Sequence, residues 1–173
     1  MSVTGAKFEG GLAPIVDRYT EVLILGSFPS VASLASGEYY GNPRNQFWRL
    51  MGLVLGVPLA GRPYEERLAV LSARGIGLWD VLASCERQGS LDHSIRAARP
   101  NDFSALRAGC PRLGSLLLNG QAAARHGRSR LPAGLALHTL PSTSPAAAAL
   151  SLESKRKLWH AALAPHLHGT LPA

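Results

Sequence analysis

Residues 26–48 read GSFPSVASLASGEYYGNPRNQFW, and this stretch says more about the fold than any other part of the chain. It follows an apolar run over residues 22–25 and leads into apolar residues at helical spacing. Its opening Gly-x-x-Pro predicts a tight turn whose backbone N–H groups can face a ligand. Tyr40 then places an aromatic ring close in sequence to the carboxamide of Asn45. A protein recognises a flat heterocycle with aromatic rings that stack on its face and with amide groups that hydrogen-bond to its edge.

The rest of the chain alternates short apolar runs with amphipathic patterns. Four apolar runs suit strands of a parallel sheet that is buried on both faces: residues 22–25, 76–79, 116–118 and 135–140. Helical spacing predicts helices over residues 45–55, 64–73, 102–108, 121–126 and 153–163. This alternation predicts an α/β fold, a three-layer α/β/α sandwich with a central, mostly parallel four-stranded sheet, in one domain over residues 1–173. The alanine run at 146–149 is expected to open the last helix, and residues 127–134 to form an exposed basic loop.

Each predicted strand is followed by polar or turn-forming residues. In open parallel sheets the ligand site lies beyond the carboxyl ends of the strands. The groups expected to converge there are Gly26 with Ser27, Asp80, Asn119, and Pro141 with Ser142. This convergence is a structural prediction that needs no knowledge of related proteins.

Composition narrows the class of partner. The formal charge of +7 and the pI near 10.1 favour a polyanion, of which nucleic acid is the commonest. Charged residues interrupt residues 1–20, so we expect neither a signal peptide nor a membrane anchor, and a cytoplasmic location. The two cysteines, Cys85 and Cys110, are expected to be ordinary free thiols. No histidine pairs with cysteine or carboxylate at metal-ligand spacing, so we expect no metal and no cofactor.

The segment over residues 26–48 resembles the uracil-DNA glycosylase superfamily, whose first motif is a Gly-x-x-Pro turn after the first core strand. Residues 40–48, YGNPRNQFW, resemble a block found in mismatch-specific uracil-DNA glycosylases and in hypoxanthine-DNA glycosylases. The paired tyrosines and the Gly-Ser-x-Pro-Ser opening look most like the hypoxanthine branch. The superfamily's second motif contains Pro-Ser after the last core strand, here Pro141 and Ser142.

One position departs from the superfamily pattern. Most members place a water-activating Asp or Asn two residues after the motif glycine, where this chain has Phe28. The resemblance to the hypoxanthine branch implies that Asn45 positions the water instead. The alternative is that Asn45 caps the helix that follows it. Asp80 remains an alternative catalytic carboxylate, or a helix cap.

The resemblance and the residue types together assign the other candidate roles. Gly26, Ser27, Phe28, Tyr40 and Asn119 are predicted to bind the base: Tyr40 by stacking on it, Phe28 as a wall, Ser27 as a donor and Asn119 by reading its edge. The alternatives are core packing for Tyr40 and turn formation for Ser27 and Asn119. The predicted DNA contacts are Arg44, Pro141, Ser142 and Ser144. The small residues at 143–145 suggest that the wedge filling the gap left by an extruded base lies elsewhere.

These features predict a monofunctional DNA glycosylase that hydrolyses the N-glycosidic bond of a deaminated base and leaves an abasic site. Hypoxanthine is the first choice of base and uracil the second. We expect a monomer whose partner is DNA containing such a base, with no role for a membrane. A mismatch-type uracil/thymine-DNA glycosylase, a catalytically silent DNA-binding member of the fold, and a hydrolase of free nucleosides are the alternatives.

Overall fold

The computed structural model describes residues 5–168, which form two sheets and the helices that cover them. Within that range no helix is both long enough and apolar enough to cross a membrane. In chain order the elements are β1 Ala6–Phe8, β2 Val22–Gly26, α1 Val31–Ser36, α2 Phe47–Leu55, α3 Tyr64–Ser72, β3 Ile76–Asp80, β4 Leu82–Arg87, β5 Arg96–Pro100, α4 Leu106–Gly109, β6 Ser115–Asn119, α5 Gln121–Gly127, β7 Ala136–Leu140 and α6 Leu152–Leu163.

The central sheet is parallel and has the strand order β3-β2-β6-β7. Its register aligns the strand ends, since Gly26 of β2 pairs with Asp80 of β3 and Asn119 of β6 pairs with Leu140 of β7. Polar and turn-forming groups that follow these strands therefore meet at one edge of the sheet. This is the edge where the alternation of strands and helices predicted a site.

Alternate side chains of β2 enter two separate cores because successive residues of a strand point to opposite faces. Val22 and Ile24 pack among residues of α2, α3 and α6. Leu23 and Leu25 pack on the other face among residues of β4, α4 and α5. All four side chains are fully buried. The predicted four-stranded sheet between two covering layers is confirmed.

Other elements differ from the sequence predictions. The edge strand β7 is half-exposed, with Leu140 its one buried residue, so the prediction that it is buried on both faces was wrong. An antiparallel sheet in the order β1-β4-β5 and the short helix α1 were missed. The alanine run at 146–149 does not open α6, because Ser151 caps that helix by accepting a hydrogen bond from the N–H of Ser154.

Candidate active site

A cavity of about 370 Å³ opens at the carboxyl ends of the parallel strands. Its walls come from the turn after β2, the segment between α1 and α2, the ends of β3 and β6, the turn before β5 and the loop after β7. Of the predicted base-binding, catalytic and DNA-contacting residues, all but Pro141 line it. Tyr40 and Asn45 therefore line one common hollow.

The turn after β2 packs tightly against the neighbouring strand. A side-chain Cβ on Gly26 would collide with Oδ1 of Asp80, so a larger residue here would displace that carboxyl group. The hydroxyl of Ser27 donates a hydrogen bond of 2.7 Å to Oδ1 of Asp92. Ser27 thus fixes Asp92 in the cavity wall, and the ring of Phe28 forms the adjoining apolar wall.

Arg87 holds this turn in place by hydrogen bonds to its backbone, a role that was not predicted from the sequence. Its side chain is 1% exposed, and its guanidinium donates hydrogen bonds to the carbonyls of Gly89, Phe28 and Pro29 at 2.9, 3.4 and 2.6 Å. The guanidinium also lies over the rings of Phe8 and Phe28. Burial lowers the pKa of Arg87, although nearby acidic groups oppose that effect. No local sequence pattern distinguishes this arginine from a surface one.

Tyr40 adopts a left-handed backbone conformation, with a φ of 55° that is unusual for a bulky residue. Its neighbours hold it there: Gly41 donates its N–H to Ser33, and Trp48 donates its indole N–H to the carbonyl of Tyr39. The Tyr40 ring stacks on Phe47 with centroids 3.8 Å apart. One ring face is therefore already covered, and only the other face is open to a ligand. Burial raises the pKa of the Tyr40 hydroxyl, which stays protonated.

Asn45 makes the helix-capping contact that was the alternative to its catalytic role. Its Oδ1 accepts a hydrogen bond of 2.9 Å from the N–H of Phe47, the first residue of α2. Within residues 5–168 its amide nitrogen has no hydrogen-bond partner, while the residue itself lines the cavity. The capping bond fixes the carboxamide and leaves its N–H groups available to a ligand.

The carboxamide of Asn119 is engaged inside the protein. Its nitrogen donates to the Tyr40 hydroxyl at 3.2 Å and to Oγ1 of Thr143 at 3.0 Å, and its oxygen accepts from the N–H of Thr143 at 3.0 Å. Both amide hydrogens are thus used. Base-edge reading by Asn119 stays a prediction, and the contacts assign it a positioning role between Tyr40 and the loop after β7.

Asp80 is the least satisfied polar side chain in the cavity wall. It is 4% exposed, and its Oδ2 has no hydrogen-bond partner. Burial and, to a smaller extent, the negative charge of Asp92 raise its pKa from 3.8 to about 7, while Arg87 opposes both effects. The structure therefore places an unpaired carboxyl group where the sequence offered either a catalytic carboxylate or a helix cap, and it caps no helix.

Two side chains of α6 hold the loop after β7 in place by hydrogen bonds. The carbonyl of Pro141 accepts a hydrogen bond from the indole N–H of Trp159. Lys155 is 2% exposed and donates to Oε1 of Gln46 at 2.9 Å and to the carbonyl of Ala147 at 2.7 Å. Burial lowers its pKa. Ser142 and Ser144 remain partly exposed at the cavity, with the exposed side chain of Arg44 across it.

A metal ion would need several histidine, cysteine or carboxylate side chains close together. No cluster of three or more histidine, cysteine or carboxylate side chains is arranged for that purpose within residues 5–168. Cys85 and Cys110 are free, buried thiols, as predicted.

The fold and the cavity place the chain among α/β proteins that bind a ligand at the carboxyl edge of a parallel sheet. Residues 14–164 match the model of the Uracil DNA glycosylase superfamily, and the chain belongs to that superfamily. The predicted resemblance is confirmed.

Two relatives and one solved structure support this assignment. The chain is 41% identical over 134 residues to a hypoxanthine DNA glycosylase from Methanosarcina acetivorans, covering 78% of this chain and 85% of the relative. It is 38% identical over 149 residues to a hypoxanthine DNA glycosylase from Methanosarcina barkeri, covering 86% and 94%. A solution NMR structure of a protein from M. acetivorans, proposed to be a uracil DNA glycosylase, matches with a TM-score of 0.83 and 37% identity, covering 94% of this chain and 100% of that one.

Proposed function

We propose that this glycosylase removes hypoxanthine, the deamination product of adenine, from DNA and leaves an abasic site. Uracil is the second candidate base. The two relatives that carry the name hypoxanthine DNA glycosylase support this choice of base. The observation that carries the proposal is the joint position of Tyr40 and Asn45 on one cavity, with the Asn45 amide nitrogen unpaired among residues 5–168.

The cavity suits a single base. Its volume of about 370 Å³ lies at the small end of the range for ligand pockets, roughly 300–1,000 Å³. A base inside a duplex cannot reach such a site, so the target nucleotide must be extruded from the stack. Phe28 and the uncovered face of Tyr40 offer apolar and aromatic walls to the flat ring.

Asn45 would act by orientation. Cleavage of a deoxynucleoside passes through an oxocarbenium-like state, in which positioning and electrostatics supply much of the rate. The capping bond to the N–H of Phe47 holds the Asn45 carboxamide still. A neutral amide so held can orient a water molecule toward C1′ without acting as a strong base.

The lining of the cavity supports a glycosylase without a lyase step. Within the described part of the chain, no lysine lines it. The buried Lys155 is committed to Gln46 and to the carbonyl of Ala147. A Schiff base at C1′ needs a free amine at the reacting carbon. Hydrolysis by water therefore fits the site best.

Contacts with the DNA backbone would form around the rim. Arg44 is exposed there, and Ser142 and Ser144 lie on the opposite loop. Such groups bind phosphate oxygens, which fixes register without reading sequence. Pro141 would contribute through shape, because its carbonyl is occupied by Trp159. The net charge of +7 favours association with DNA, and a monomer presents all these groups.

The test is cleavage of end-labelled duplexes that contain one deoxyinosine or one deoxyuridine, followed by alkali. Wild-type protein should give a strand break at the lesion. Asn45→Ala should abolish it. Asn45→Ser should also abolish it, although serine can still cap α2, which separates the catalytic role from the structural one. Gln121→Ala, on an exposed residue of α5, is the matched control and should leave the rate unchanged.

The alternatives give different results in the same assay. Strand breaks with neither base, combined with retained DNA binding, would indicate a catalytically silent DNA-binding protein. Faster turnover of free deoxyinosine than of the duplex would indicate a nucleoside hydrolase. Full activity of Asn45→Ser would remove Asn45 from the chemistry and leave it only the helix cap.

A further inference from the structure

We propose that Asp80 is a second catalytic residue, a general acid that delivers a proton to the extruded hypoxanthine as its bond to the sugar breaks. This inference rests on the proposed function, since it concerns a purine in the cavity. It gives Asp80 and Asn45 separate tasks: Asn45 serves the water and Asp80 serves the leaving base.

The buried position of Asp80 favours the protonated form of its carboxyl group. The residue ends β3, lies beside Gly26 on β2 and lines the cavity while being 4% exposed. Its Oδ2 has no hydrogen-bond partner, and within residues 5–168 the side chain takes part in no ion pair. Burying a carboxylate without a partner is strongly unfavourable, so such a group takes up a proton instead.

The charged groups around Asp80 also affect its pKa. Asp92, in the turn before β5, raises the pKa of Asp80 by repulsion, whereas Arg87 at the end of β4 lowers it. Within residues 5–168 Arg87 forms no ion pair with Asp80, and three of its five N–H groups are bonded to backbone carbonyls. Among the described residues, the other titratable neighbours of Asp80 are the phenols of Tyr39 and Tyr40, which burial keeps protonated. The pKa of Asp80 is therefore raised to about 7, where a general acid is most effective near neutral pH.

The proposed step balances as follows. The carboxylic acid of Asp80 transfers its proton to N7 of hypoxanthine as the C1′–N9 bond breaks. The bonding electron pair moves onto N9, and hypoxanthine departs as a neutral molecule. Water held by Asn45 adds to C1′ and releases one proton to solvent, and Asp80 regains a proton from solvent before the next turnover.

The step also bears on specificity between the two bases. Uracil departs as an anion whose charge is spread over two carbonyl groups, so its departure depends less on a proton. A purine leaves far more readily once its imidazole ring is protonated. Loss of the acid should therefore slow hypoxanthine release much more than uracil release.

The decisive variant is Asp80→Asn, because a carboxamide matches a neutral carboxyl group in shape and still offers one donor and one acceptor. It cannot transfer a proton. In single-turnover assays it should cleave deoxyinosine roughly 100-fold or more slowly, the usual contribution of a general acid, and lose less than about tenfold on deoxyuridine. Asp102→Asn, on an exposed residue, is the matched control and should change neither rate.

Two further measurements do not depend on that variant. The wild-type rate on deoxyinosine should fall as the pH rises above about 7, because Asp80 then loses its proton. Wild-type protein should bind but not cleave 7-deazadeoxyinosine, in which a C–H replaces N7. In Asp80→Asn the fall above neutral pH should disappear.

The inference would be overturned if Asp80→Asn cleaved deoxyinosine at the wild-type rate, since Asp80 would then only read the base. Equal losses on both bases would overturn it as well, and so would efficient cleavage of the 7-deaza substrate. Failure of wild-type protein to cleave deoxyinosine at any pH is a different result, which refutes the proposed function itself.

Discussion

Asp80→Asn should make the protein more stable, and the gain should grow with pH. Burial and Asp92 raise the pKa of Asp80 from 3.8 to about 7. The folded protein therefore keeps a proton that the unfolded chain releases between those values. Stability conferred by that proton is present below the lower value and is lost as the pH rises through the upper one. Asparagine has no such proton and escapes the loss.

The expected magnitude follows from the same two values. At ~1.36 kcal/mol for each pKa unit, the difference between 3.8 and about 7 corresponds to roughly 4 kcal/mol lost by about pH 8. Relaxation of the site reduces this figure, so we expect Asp80→Asn to gain roughly 2 to 4 kcal/mol there. For a chain of this size the melting temperature should rise on the order of 10 °C.

Urea denaturation of wild-type protein and Asp80→Asn at about pH 5 and about pH 8 measures this effect. The gain should be larger at the higher pH by roughly 2 to 3 kcal/mol. Asp102→Asn should show no such gain, because the carboxylate of Asp102 is exposed and its pKa is lowered by the N–H of Ser104. An Asp80→Asn gain that is the same at both pH values, or absent at both, would refute a protonated Asp80 in the folded state.

Three further predictions concern the parts that hold the site together. Asn119→Ala removes three hydrogen bonds and leaves the N–H of the buried Thr143 unpaired, so urea denaturation should show a loss of about 3 kcal/mol; a loss under about 0.5 kcal/mol would contradict the network. Leu91 is 44% exposed at the cavity, where an apolar side chain can fill the gap that an extruded base leaves in a duplex. Leu91→Ala should therefore slow cleavage in duplex DNA more than in single-stranded DNA, which has no such gap. Lys155→Met removes the hydrogen bond that holds the carbonyl of Ala147, so it should weaken binding to abasic duplex in a filter or anisotropy assay. Lys157→Met, on the exposed face of α6, removes the same charge and should not weaken binding. Equal affinities of the two variants would contradict a role for this hydrogen bond.

The parallel sheet could be predicted because its strands carry a local signal. The runs at 22–25, 76–79 and 116–118 are continuous and apolar, as strands with two buried faces must be. The antiparallel sheet could not be found this way. Arg96–Pro100 is an exposed strand of basic and small residues, and its pairing with Leu82–Arg87 contains irregular register, so neither alternation nor an apolar run marks it.

The candidate site was predictable only in part, for a related reason. Tyr40, Asn45 and Phe28 lie within one continuous segment whose composition suggests recognition of a heterocycle. Arg87, Asp92 and Lys155 come from distant positions and act through contacts that the fold creates. Sequence spacing could not show that the Asn119 amide hydrogens are used internally, or that Asp80 lacks a partner.

The departure at Phe28 and the state of Asp80 are connected through Arg87. An acidic residue at position 28 would remove the ring over which the Arg87 guanidinium lies. With phenylalanine there, the Arg87 guanidinium lies over the ring and donates hydrogen bonds to the backbone carbonyls of Phe28 and Pro29. Asp80 is thereby left buried and unpaired, and a carboxyl group in that condition holds its proton at neutral pH. Phe28, at the position where the superfamily pattern has Asp or Asn, therefore supports the proposed role of Asp80 as the acid for the leaving base.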